Sequence, residues 1–319
     1  MQAILIISII VLYSLQTLFC TFFNQKYKGR EDLSSSVFCI LQGVFIVIFT
    51  LVWMAFDISA SLDGFSAKWI GFSFAPSLFT VCIGVLNAVA LFGYNNALIK
   101  AGAKGSYAFM NIAMIFGGIL IPAIYEMFTG HKLEVYHYIA IAVMFVAFIL
   151  MNYKDMKLKG TTLIYYIYCL ILGVCNGLYG TFLKIQSMYA ENESNEMVII
   201  TFGVMGLLAF VKLAVTEKKQ LPSAFKMGKQ AVLPMLLCFI VSAMAINVYM
   251  LLIPLLGNVV TILYTVDNGG VFVLSAIYSV IFFKEKIDKF KLIGMILAVL
   301  SIVALALNTE SIAVLKSLL

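Results

Sequence analysis

Ten runs of apolar residues, each about as long as a bilayer is thick, leave this chain little choice of fold. They cover residues 3–24, 33–56, 74–99, 105–125, 133–152, 161–184, 196–215, 231–253, 258–283 and 290–308. A hydrocarbon layer about 30 Å thick is crossed by roughly 20 helical residues. Inside it each backbone N–H and C=O must be satisfied without water, which a helix does within itself. The expected class is an all-α polytopic membrane protein with ten transmembrane helices. With 63% hydrophobic and 11% charged residues, the composition excludes a soluble globular core. The first run lacks a basic flank and a small-residue cleavage site, so it reads as a span rather than a signal peptide.

Short connections hold the charges and turn formers: Lys26 to Arg30, Lys154 to Gly160 and Glu217 to Lys229. The longest, Asp57 to Ser73, is flanked by Trp53 and Trp69, which suit the membrane–water interface. All six cysteines lie in apolar runs and read as small buried residues rather than a disulfide or zinc framework. The net charge of +6 comes from loop lysines and is no nucleic-acid signature.

Compared with itself, the chain repeats at an offset of 155 residues. Tyr13 meets Tyr168, Cys20 meets Cys175, Ala88 meets Ala243, Tyr94 meets Tyr249 and Gly102 meets Gly257. Two units follow, 1–156 and 157–319, and five spans apiece make the second inverted relative to the first. Loop charges agree independently. Lys26, Lys28 and Arg30 are matched near Tyr189–Glu196 by Glu191, Glu193 and Glu196, while Lys132 is matched by Lys284, Lys286, Lys289 and Lys291. Basic loops thus fall on one face, and the positive-inside rule makes that face cytoplasmic with both termini outside.

Polar residues within the spans mark a candidate cavity. Asp267 sits roughly 15 Å into the ninth run, near mid-bilayer, where a carboxylate costs about 2.5–3.5 kcal/mol and so faces protein or a wet cavity. Beside it are Tyr264, Asn268 and the pair Gly269-Gly270, which lets a backbone or substrate approach. Tyr13 and Thr17 lie on one face of the first span, and Asn176 is among their counterparts. Asn87, Tyr94 and Asn247 come from the third span and its mate, and Asn111 falls one residue from the mate of Asp267. Interhelical hydrogen bonding is the plain alternative for each. Asn95 and Asn96 read as capping or interfacial, and Lys184 and Lys212 as bases that snorkel to the interface. Asp267 is the proton or cation site, with aromatic faces adding attraction for an ammonium.

The second half ends with Phe282-Phe283-Lys284-Glu285-Lys286 closing one span and Lys291-Leu292-Ile293-Gly294 opening the last. Together with two-times-five spans, this resembles the drug/metabolite transporter superfamily in its ten-span EamA-like branch. In the first half, Gly130-His131-Lys132 lacks the glutamate and Ile139 stands opposite Gly294. The resemblance implies a secondary transporter of a small organic metabolite or drug, by efflux or exchange, with alternating access around a polar cavity. It also implies cytoplasmic termini, against the charge pattern.

No nucleotide-binding loop, metal-ligand spacing or acid/base pair at depth is present in the sequence, so neither a cofactor nor an enzymatic role is expected. The competing class is a membrane-embedded enzyme or flippase acting on a lipid-linked substrate. Expected partners are the small-molecule solute and the lipid bilayer, with no nucleic acid. Fused halves permit a monomer without excluding a homodimer, and the expected location is a bacterial plasma membrane.

Overall fold

The computed structural model describes residues 2–27, 31–61, 64–102, 107–129, 135–152, 163–216, 225, 228–255, 260–283 and 288–306. Ten long helices account for most of them. They are α1 Gln2–Lys26, α2 Glu31–Met54, α3 Leu78–Gly102, α4 Tyr107–Thr129, α5 Val135–Asn152, α6 Leu163–Tyr189, α7 Ser194–Thr216, α8 Lys229–Leu255, α9 Val260–Phe283 and α10 Lys289–Ala306. Each coincides with one apolar run, because an apolar segment of that length can satisfy its backbone only by coiling.

Among the described residues, five stretches are long and apolar enough to cross a membrane: Ser34–Met54, Leu78–Leu98, Leu163–Tyr189, Glu191–Val215 and Lys229–Leu252. Their outward faces are also apolar. On α2, Val44, Ile48 and Val52 recur every fourth residue and are more than half exposed. On α10, Leu292, Ile296, Leu300 and Val303 are likewise more than half exposed. A protein in water would leave no such continuous apolar coat, whereas lipid tails cover it at no cost. This is a helical membrane protein.

The segment after α2 is not bare loop. It forms an antiparallel hairpin, β1 Phe56–Ser61 with β2 Gly64–Trp69, in the register Phe56 opposite Trp69 and Ser61 opposite Gly64. At its base the rings of Phe56 and Trp69 meet edge to face at 5.2 Å, and Trp69 meets Phe72 at 5.6 Å. Trp53 stacks on Phe49 at 6.1 Å.

Most of the larger helix contacts find a mate when the first five helices are exchanged for the last five. α1 lies against α8 and α9, and α6 lies against α3 and α4. α2 contacts α7 and α8, and α7 contacts α2 and α3. α5 packs on α10 at the periphery, and α4 meets α9. Small residues set the closest crossings. A methyl added at Gly173 of α6 would lie 2.5 Å from the carbonyl oxygen of Ala113 in α4. One at Gly43 of α2 would lie 2.6 Å from the carbonyl oxygen of Phe202 in α7. Backbones that approach this closely gain dispersion contacts, the main source of helix association in lipid.

Candidate functional site

Midway along the bundle, eight helices surround a cavity of about 140 Å³. Among the described residues, α5 and α10 contribute nothing to it. A single water needs some 10–15 Å³ of such space, so the cavity accommodates a small organic solute. α1 supplies Tyr13, Gln16 and Thr17; α2 supplies Gln42; α3 supplies Leu91, Tyr94 and Asn95. From the second half come Asn176 and Tyr179 of α6, Ser242, Ile246 and Tyr249 of α8, and Asp267, Asn268 and Val271 of α9. Met114 of α4 and Phe202 of α7 complete the wall.

Local hydrogen bonds hold several of these groups. The Thr17 hydroxyl donates to the carbonyl of Tyr13 at 2.9 Å, one turn back on its own helix. Ser242 donates to the carbonyl of Cys238 at 2.7 Å in the same way. The Asn176 amide donates to the backbone oxygen of Met114 in α4 at 3.0 Å. It reaches that oxygen because Gly118 has no side chain to occupy the same space. The Tyr94 hydroxyl lies 3.1 Å from the sulfur of Met114. Tyr13 and Tyr249 meet edge to face at 6.2 Å, joining the two halves across the cavity.

Three acceptor-only oxygens of the lining are left over. Gln16 Oε1, Gln42 Oε1 and Asp267 Oδ1 are buried and accept no hydrogen bond among the described residues. Gln42 is 4% exposed and Asp267 8%. No lysine, arginine or histidine lines the cavity among the described residues.

Six of the residues singled out from sequence are brought together here: Tyr13, Thr17, Tyr94, Asn176, Asp267 and Asn268. Asn87 and Asn247 are not in the cavity wall. Asn87 donates to Thr201 of α7 at 3.4 Å, and Asn247 donates to Thr50 of α2 at 3.2 Å. Each ties the third helix of one half to the second helix of the other. The side chains of Asn111 and Tyr264 lie outside the described residues. Gly270 serves helix packing, receiving the side chain of Ile10 from α1.

Three readings need correction. Asn95 does not cap a helix end: it is 7% exposed, lines the cavity and lies 3.5 Å from the sulfur of Met205. Asn96 joins three helices instead of reaching the interface, accepting from Lys212 of α7 and from Ser35 of α2 at 3.3 Å. Neither near-membrane base snorkels outward. Lys212 also lies over the Phe92 ring at 5.7 Å, and Lys184 is fully buried with its ammonium 5.6 Å from the Tyr125 ring centre. An amide oxygen or an aromatic face replaces water for these ammonium groups, which removes the drive to reach the surface.

The two ends of the bundle are held together differently. Toward the start of α8, Phe23, Phe38 and Phe239 cluster with ring separations of 5.3 and 5.6 Å, a dry aromatic plug between α1, α2 and α8. At the opposite end, the Glu193 carboxylate accepts from both the backbone N–H and the hydroxyl of Ser77 at 2.8 Å. The Gln186 amide donates to Thr80 at 2.9 Å and to the carbonyl of Ala190 at 2.8 Å. This polar latch ties the start of α3 to the α6–α7 connection.

No protein-family model matches the chain, and no curated protein matches it by sequence. A solved structure described only as "Crystal structure of protein" is similar in fold, with a TM-score of 0.67 and 14% identity over 95% of each chain. At that identity the likeness concerns the path of the backbone across nearly the whole chain.

Proposed function

We propose that this chain is a secondary active transporter of a small organic solute, built from two inverted five-helix halves that expose a shared cavity to one side of the membrane and then the other. The observation that carries the reading is the cavity itself. It lies at mid-depth, draws on four helices from each half, and holds one carboxylate with no basic partner lining it among the described residues. Placing an acid where it costs several kcal/mol is an expense met by function more often than by packing. The symmetric packing of α1 with α8 and α9, and of α6 with α3 and α4, supports two halves that rock against each other. The aromatic plug and the polar latch are then the two gates. We assign the chain to the ten-span branch of the drug/metabolite transporter superfamily on the same grounds.

Asp267 is the coupling group: it holds a proton when the cavity lacks solute and releases it when a solute binds. Reconstituted into proteoliposomes with an imposed pH gradient, the protein is expected to drive solute uptake or efflux that a protonophore collapses. Asp267→Asn abolishes the gradient-driven component while leaving expression and folding intact. Gradient-driven transport that persists in Asp267→Asn removes the coupling role from this residue.

A further inference from the structure

We infer that the solute is a protonated primary amine carrying a compact apolar or aromatic body, its ammonium held by Gln16 Oε1, Gln42 Oε1 and Asp267 Oδ1. This deepens the transporter reading and rests on it for the direction of movement, though not for binding.

Three buried acceptor-only oxygens, contributed by three different helices to one cavity and without donors among the described residues, form an unfinished site. A buried acceptor left unmet is costly, so the cavity favours whatever supplies hydrogens to all three. An –NH₃⁺ group has three N–H donors and no acceptor, which matches that set in number and sign. Its charge matches Asp267, which has no ion-pair partner among the described residues. The rest of the wall describes the remainder of the ligand. Tyr13 and Tyr249 present ring edges and faces, and Leu91, Ile246 and Val271 are apolar. Aromatic faces also attract an adjacent cation.

The same lining argues against neighbouring classes. A quaternary ammonium has charge but no N–H, and would bury all three oxygens unmet. A neutral alcohol offers one donor and leaves Asp267 uncompensated. An amino acid brings a carboxylate, for which the described lining holds no cationic partner.

The test uses full-length protein purified in detergent at pH 7 and follows its thermal unfolding in graded concentrations of four probes. These are 2-phenylethylamine, its N,N,N-trimethyl counterpart, 2-phenylethanol and sodium chloride. The amine is expected to raise the Tm in proportion to its occupancy. The trimethyl compound and the alcohol should bind at least tenfold more weakly. Gln42→Leu and Gln16→Leu should each weaken the amine about tenfold, with folding checked by the Tm without ligand and by size-exclusion elution. Should Gln42→Leu fail to fold, Gln42→Glu tests the same position, and its added negative charge should strengthen amine binding. Equal or tighter binding of the trimethyl compound or the alcohol overturns the inference. So does stabilisation by sodium alone, or no response to the amine. If amines neither bind nor compete while another solute is exchanged by proteoliposomes, the amine site fails and the transporter stands. If amines bind with this selectivity yet cross the membrane in neither direction, the transporter reading fails and the site stands.

Discussion

Substituting alanine for Gly173 tests whether the α4–α6 crossing positions the cavity wall. The new methyl carbon would sit 2.5 Å from the Ala113 carbonyl oxygen, 3.3 Å from that carbonyl carbon and 3.6 Å from Gly117 Cα. All three are backbone atoms, so no rotamer change relieves the overlap. Ordinary contact begins near 3.4 Å, and the two helices must separate by about 0.9 Å. Overpacking of this kind costs some 1–3 kcal/mol, against the roughly 1 kcal/mol that alanine gains over glycine in a helix interior. A matched control is available in Gly203→Ala, whose methyl would meet nothing closer than Val47 at 3.7 Å. Equilibrium unfolding in mixed micelles should therefore show Gly173→Ala about 1–3 kcal/mol less stable than Gly203→Ala, which carries the alanine gain without the overlap. Asn176 sits one turn beyond Gly173 and holds the Met114 carbonyl across the same crossing, so the displacement should also raise the transport KM. Equal stability of the two variants would refute the close crossing.

Asn247→Ala should lower stability by about 0.6 kcal/mol for the lost interhelical bond, more where the space stays empty, while KM stays within twofold because the residue is outside the cavity wall. Asn176→Ala should instead raise KM in the same uptake assay. Ser77→Ala removes both the cap at the start of α3 and a donor to Glu193, and should cost about 1 kcal/mol in thermal unfolding, with Ser73→Ala as an exposed control. Among the native thiols, Cys82 faces outward, so a membrane-permeant maleimide should modify it first, while buried Cys39, Cys169 and Cys238 react only on unfolding; mass spectrometry of the digested protein reads the order.

Helix number and bounds were legible because spanning length and backbone satisfaction act on one segment at a time. The hairpin was signalled too, by Asp63-Gly64 between alternating polar and apolar residues, but the search for spans passes over a short amphipathic ribbon. For the cavity, the 155-residue offset works on the third helices, where Tyr94 and Tyr249 both line the wall. It does not work on the first. There, Tyr13 and Gln16 correspond in the wall to Asn176 and Tyr179, an offset of 163, while Tyr168 packs with Ala97 and Ala101 beneath Lys100. Matching at a fixed offset compares positions along the chain, whereas a cavity face depends on how each helix slides and rotates against its neighbours. Gln16 and Gln42 escaped notice for a related reason. A single amide in an apolar run looks like any interhelical donor until its neighbours show that nothing meets its oxygen.

In the proposed transporter, the wall formed by α1, α8 and α9 encloses water rather than lipid or packed side chains. Single cysteines placed on a cysteine-free background at Ser242, inside, and at Ile48, outside, compare the two environments directly. In proteoliposomes, a small charged methanethiosulfonate reagent is expected to modify Ser242→Cys, with protection by 2-phenylethylamine, and to leave Ile48→Cys untouched. A silent Ser242→Cys beside a reactive Ile48→Cys would mean that the bundle has been read inside out.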